Sequence, residues 1–247
     1  MMENTIGIII LTILLLNCGT YTLFRCFHAG RMCIGQAKTE NPKIYCLAGM
    51  MNQPETALSY ISLPDEYERV NVSYSMFGFD LVKAKSQLEE LAGNSDVLLG
   101  ISIGAKPIIC ADTNAEKILV NPCTHPRVLK PYLEKLTFWL SPLAEIISYG
   151  LGWIAVLPLI PVGGGEYYSI ALLVDQLYWI GHYDPAVVDE NVGIVLSSRD
   201  EFLQNDEVQK IYDSSYSVEI DTMHGRTGEL AVAKEYEQAI LSLLEQT

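Results

Sequence analysis

The chain has 247 residues, 49 % of them hydrophobic, which is enough for one sizeable core or two small ones and excludes a disordered chain. Its formal charge of −14, with no basic stripe, argues against a nucleic-acid partner. Six cysteines, none within two to four residues of another, give neither a zinc-type pair nor a disulfide framework, so a reducing compartment is favoured.

The first element is residues 6–24, "IGIIILTILLLNCGTYTLF", without a charge and long enough to cross a bilayer. A cleaved signal normally carries Lys or Arg before its apolar core, and here only Glu3 precedes it. Lipid attachment at Cys18 would need a small residue before it, where Asn17 stands. A membrane anchor is therefore the favoured expectation. A removed or lipidated signal and a true start near Met32, giving a cytoplasmic protein, are the alternatives. Arg25, Arg31, Lys38 and Lys43 follow the run, so the positive-inside rule places the folded part in the cytoplasm. Residues 1–40 then form anchor and linker, and 41–247 the folded domain.

From Pro42 onward strands and helices alternate. Strands are expected at 43–47, 69–74, 97–101 and 117–120. Between them lie a helix from Pro54 to about Ile61, a helix to Leu91 capped by Asp80, and a helix over 103–111 despite Pro107. From about 126 to 184 the rhythm breaks into a helical, aromatic and apolar segment with prolines at 142, 158 and 161 and the run Gly163-Gly164-Gly165. It resumes with strands at 192–196 and 216–220, a short helix at 206–212 and a closing helix over 228–244. This is an α/β pattern: a mostly parallel sheet with helices on both faces and a helical cap inserted at about 126–184.

The stretch "SDVLLGISIGAKPIIC" places Gly100-Ile101-Ser102-Ile103-Gly104 between a predicted central strand and a helix. Strand, G-x-S-x-G, helix resembles the nucleophile elbow of the α/β-hydrolase superfamily. That resemblance implies Ser102 as nucleophile, then an acid after a late strand and a histidine after the last one. "VGIVLSSRDEF" supplies Asp200 and "YSVEIDTMHGRTGE" supplies His224, in that order. Among rival bases, His28 flanks the anchor and His182 ends the aromatic segment. His125 follows a strand but precedes Asp200. Asp206 and Asp221 are the alternative acids. Lys106 lies four residues beyond Ser102, so an S-x-x-K pair is not formed.

The resemblance also implies an oxyanion hole from the backbone N–H groups of Ile103 and of Met50, the latter in "LAGMMNQ", where Ala48-Gly49 replaces the family's frequent His-Gly. A serine at the elbow implies an acyl-enzyme, hence cleavage of an ester, thioester or amide with no metal or organic cofactor. A cap carrying all three tryptophans suits a small-molecule substrate with an apolar acyl group. The competing reading is a catalytically silent domain of this fold used for binding. No residue of the implied set precedes Ala48, so the N-terminal segment is expected to be dispensable for activity.

Overall fold

The computed structural model describes residues 2–50, 52–161, 167–185, 192–212 and 216–246. The Gly163-Gly164-Gly165 run lies outside them. Seven strands form one sheet in the order β1-β3-β2-β4-β5-β8-β9. They are β1 (Met32–Ile34), β2 (Lys43–Leu47), β3 (Glu68–Tyr74), β4 (Val97–Ile101), β5 (Glu116–Val120), β8 (Val192–Ser197) and β9 (Ser217–Ile220). All neighbours are parallel except β1, which runs antiparallel along β3.

Strand side chains alternate between two cores, as the pleat requires. Tyr45, Leu47, Leu98 and Leu119 join helices α3 (Leu81–Leu91), α4 (Ala105–Cys110) and α7 (Asn205–Tyr212) on one face. Ile44, Cys46, Leu99, Ile118 and Val120 join α2 (Pro54–Ala57) and α8 (Ala233–Leu244) on the other. From β2 the chain crosses outward to β3, then returns past β2 to β4. The strand order reverses between β2 and β4, and the crevice beyond their carboxyl ends is where open parallel sheets bind ligands.

Local chemistry sets the boundaries. Asp80 caps α3 by accepting from the N–H groups of Val82 (3.0 Å) and Lys83 (3.2 Å). Helix α2 stops after one turn, short of Ile61. The Arg69 guanidinium donates to the carbonyls of Leu58 (2.8 Å) and Pro54 (2.7 Å), the latter shared with the Leu58 N–H (3.1 Å), and so satisfies acceptors at the helix end. Ahead of α4 the chain makes a tight turn at Ser102–Gly104, and Pro107 falls in the first helical turn, where no N–H is needed.

The cap contains α5 (Pro131–Leu151), a tight turn at Gly152–Val156 and α6 (Ile170–His182). It also holds an antiparallel pair, β6 (Pro158–Pro161) with β7 (Tyr167–Ser169), that the helical expectation did not include. Prolines at both ends of β6 suit a two-stranded edge, where ladder donors are dispensable.

Residues 1–40, expected as anchor and linker, also contribute to the fold. Residues 32–34 are a sheet strand, and the apolar run belongs to α1 (Met2–His28), whose second half packs under the cap. Asn17 donates to the Leu151 carbonyl (3.2 Å), Trp153 Nε1 donates to Thr20 Oγ1 (3.0 Å), and Tyr21 is fully buried. Arg25, counted above among the positive residues that follow the run, is buried. It ion-pairs with Asp175 of α6 and with Glu145 of α5 (3.4 Å), and its guanidinium lies 4.5 Å from the Tyr149 ring centroid. Asp175 also accepts the Phe79 N–H (2.7 Å).

Candidate active site

Ser102 stands directly after β4 with φ = 54°, a backbone conformation rare for any residue but glycine. Flanking glycines make it possible. A Cβ at Gly104 would lie 2.5 Å from the Leu47 carbonyl oxygen, and one at Gly100 would lie 2.7 Å from Ala105 Cα. The turn after β2 also comes close: a Cβ at Gly49 would meet Ser102 Cβ at 3.0 Å. Met50 follows and lines the same cavity as Ser102.

The structure brings Ser102, His224 and Asp200 together from three strand ends. His224 Nε2 is 2.9 Å from Ser102 Oγ, and its Nδ1 is 2.6 Å from Asp200 Oδ2. Asp200 is 6 % exposed. Its Oδ1 accepts from the N–H groups of Phe202 and Leu203, both at 2.8 Å. Burial pushes the Asp200 carboxyl up. The His224 hydrogen bond and charge, with the Leu203 and Phe202 N–H groups, outweigh it and hold the carboxyl below the ordinary aspartate range. An ionised Asp200 fixes the proton on Nδ1 and leaves Nε2 free to accept from the serine hydroxyl.

The rivals are placed elsewhere. His125 is buried, with Nε2 3.1 Å from the Pro185 carbonyl and 3.2 Å from Asp184 Oδ1, and Nδ1 2.9 Å from Thr124 Oγ1. Burial lowers its pKa despite Asp184. His182 stacks between Tyr178 and Phe138, and His28 stacks on Phe24. Asp221 is exposed and pairs with Arg199 at 2.8 Å. Lys106 is buried and donates to the carbonyls of Trp179 and Tyr183, tying the end of α6 to α4.

A cavity of about 300 Å³ opens over Ser102 and His224. Its walls are Leu129, Leu133 and Thr137 on one side and Leu177 and Ile180 of α6 on another, with Phe202 edge-on to the His224 ring at 5.2 Å. Ser102 and His224 supply the polar groups at the floor, and the Thr137 hydroxyl in the wall is spent on the Leu133 and Glu134 carbonyls.

The sequence matches no protein-family model and no curated protein. Solved structures do match. An α/β-hydrolase fold protein from Burkholderia ambifaria superposes with a TM-score of 0.56 at 13 % identity, over 85 % of this chain and 93 % of that one. A thermophilic esterase from Thermogutta terrifontis gives 0.55 at 14 %, over 87 % and 93 %. The carboxylesterase CesB from Bacillus subtilis gives 0.50 at 15 %, over 87 % and 88 %.

The chain has the α/β-hydrolase fold.

Within this hydrolase fold one supporting network was not legible in the sequence. Asn121, with φ = 46°, accepts the Ser197 N–H (2.8 Å) and donates to Ser197 Oγ (2.8 Å). The Tyr236 hydroxyl contacts Ser197 Oγ (3.0 Å) and donates to the Met223 carbonyl (3.2 Å), one residue before His224. Helix α8 thereby holds the histidine loop against the ends of β5 and β8. The available signal was Asn121 itself, a residue type that tolerates positive φ, at the end of an apolar strand.

Proposed function

We propose that the chain is a serine hydrolase that cleaves a carboxylic ester or thioester with an apolar acyl group through an acyl-enzyme. The carrying observation is the hydrogen-bond chain Ser102–His224–Asp200 opening onto a cavity with hydrocarbon walls. His224 Nε2 takes the hydroxyl proton as Ser102 Oγ bonds to the acyl carbon. The N–H groups of Ile103 and Met50 receive the oxyanion; the Gly49–Ser102 approach supports Met50 in this role. Collapse expels the alcohol or thiol, which leaves with the proton from His224. Water then repeats the cycle on the acyl-enzyme, releasing the acid and restoring Ser102. Asp200 holds the ring and balances the imidazolium charge.

The segment 126–184 serves as a lid over this site. Residues 6–24 of α1 anchor the protein in a membrane, with the hydrolase domain on the cytoplasmic side. Support comes from a helix over Thr5–His28 that is long and apolar enough to span, and from Arg31, Lys38 and Lys43 beyond it. A fluorophosphonate probe is expected to label the protein once, at Ser102, and Ser102→Ala to abolish both labelling and hydrolysis of a short p-nitrophenyl ester. Full esterase activity in Ser102→Ala would end this assignment. A folded protein that neither labels nor hydrolyses would make it a binding domain.

A further inference from the structure

Helix α5 is inverted relative to a helix at a water interface. Its buried side chains are Thr137, Ser141 and Ser148, whereas Leu136, Trp139, Leu143, Ile146 and Ile147 face outward. Trp139 is 73 % exposed and Ile146 69 %. A helix that borders water buries its apolar stripe and exposes its polar one. The only charge between Lys135 and Pro161 is Glu145, which turns inward to Arg25. Small residues bring α5 and α6 together: a Cβ at Gly181 would lie 3.1 Å from Thr137 Cβ. Helices pack in this manner where the surrounding solvent is hydrocarbon.

The second observation is one of length. Helix α1 runs antiparallel to α5, with Asn17 beside Leu151, Tyr21 beside Ser148 and Arg25 beside Glu145. Residues 6–16 stand clear of the fold, exposed on all sides. They reach about 16 Å, little more than half of the roughly 30 Å hydrocarbon core. The full uncharged run 6–24 reaches about 28 Å, but its last third is flanked by α5 and the Gly152–Val156 turn. A bilayer crossed by α1 must therefore also take in the second half of α5.

We propose that the outer face of α5 is a lipid-facing surface, immersed beside α1 in the cytoplasmic leaflet. This rests on the anchor and hydrolase readings above and adds the substrate's source. Trp139 lies about 9 Å along α5 beyond the level of Glu145, at headgroup depth, where tryptophan is favoured. Leu133 and Thr137, on the opposite face of the same turns, line the cavity over Ser102. The acyl pocket thus sits at the membrane interface, and its substrate class is a bilayer-resident ester or thioester with a long acyl chain.

The test uses full-length protein reconstituted into phosphatidylcholine–phosphatidylglycerol vesicles. Flotation reports the anchor, and quenching of tryptophan fluorescence by lipids with brominated acyl chains reports the cap; neither depends on catalysis. The expected result is flotation with a strongly quenched component that shrinks in Trp139→Phe to the share of Trp153, which lies beside Thr20 of α1. The double variant Leu143→Lys/Ile146→Lys should lower hydrolysis of a long-chain ester held in the vesicles by about tenfold or more, and leave hydrolysis of a soluble p-nitrophenyl ester within twofold. Flotation without Trp139 quenching would overturn the immersed cap and leave the anchor standing. Failure to float would overturn the anchor and this proposal with it. Trp139 shielded from lipid in cross-linkable dimers would assign the face to a second copy and overturn it as well.

Discussion

The sheet edge and the underside of the cap each hold a polar cluster built around an aspartate, and they differ in what they leave open. Under the cap, Arg25 meets Asp175, Glu145, Tyr21 and Ser148, and Asp175 spends its second oxygen on the Phe79 N–H. At the sheet edge, Asp200 is equally engaged, but the chain of bonds runs outward through His224 to a serine hydroxyl at the cavity floor. A cluster closed on itself fixes position. A cluster that ends on a hydroxyl facing an apolar cavity has one proton to move and a place for the atom that receives the oxygen. The contrast separates a cluster closed on itself from one that ends on an open hydroxyl, although each is built on a buried aspartate, Asp175 and Asp200.

Substitutions should divide along the same line. The largest effect on rate is expected at His224: His224→Ala should lower kcat by about 10³-fold or more, with little change in melting temperature. His125→Ala, whose ring nitrogens are bound to Thr124 and Pro185, should change kcat by less than about threefold and cost stability instead. Steady-state kinetics beside thermal denaturation checks both, and the reverse pattern would move the base to the turn after β5.

The opposite signature is expected under the cap. Arg25→Ala strands Asp175 and Glu145 without their cation, and breaking a buried pair in this way costs about 3–5 kcal/mol. Denaturant unfolding in detergent should show that loss, and removal of residues 1–31 should reproduce it. An Arg25→Ala protein of unchanged stability would mean that α1 does not dock under the cap.

The smallest effect concerns Lys106. Burial lowers its pKa to about 8, whereas an unfolded lysine titrates near 10.4. Between those values the unfolded chain binds more protons, so stability contributed by this residue rises with pH across that window. Relative to Lys106→Met, the wild type should gain stability from about pH 8 to about pH 10. A flat difference would remove Lys106 from the list of buried charges.

How much of this was legible in the sequence follows from range and from solvent. The parallel strands and the order Ser102, Asp200, His224 could be read because a short apolar run and a small-residue turn are local features. Strand β1 could not, since three residues on an edge carry no period. The Arg25 cluster joins residues 120 and 150 positions apart, and no local pattern announces it. A weak signal did exist: Asp175 is the only acid in α6, and an isolated acid in an apolar helix needs a cation nearby. Helix α5 could be recognised as a helix, but its inward face could not be assigned on the assumption that the outer solvent is water.

The span between Arg25 and its partners also sets an order of assembly. At about 5–20 residues per second of synthesis, Arg25 leaves the ribosome roughly 8–30 seconds before Asp175, 150 residues later. During that interval the guanidinium has no acid to meet and must stay hydrated. Helix α1 can settle early, but it can dock only once α6 has emerged. Since α6 carries Leu177 and Ile180, the arrival of Asp175 also completes the wall of the pocket. A nascent chain stalled before α6 would hold Ser102 without the Leu177 and Ile180 wall of its cavity, so the cavity closes over the serine only when the partner of Arg25 has also emerged.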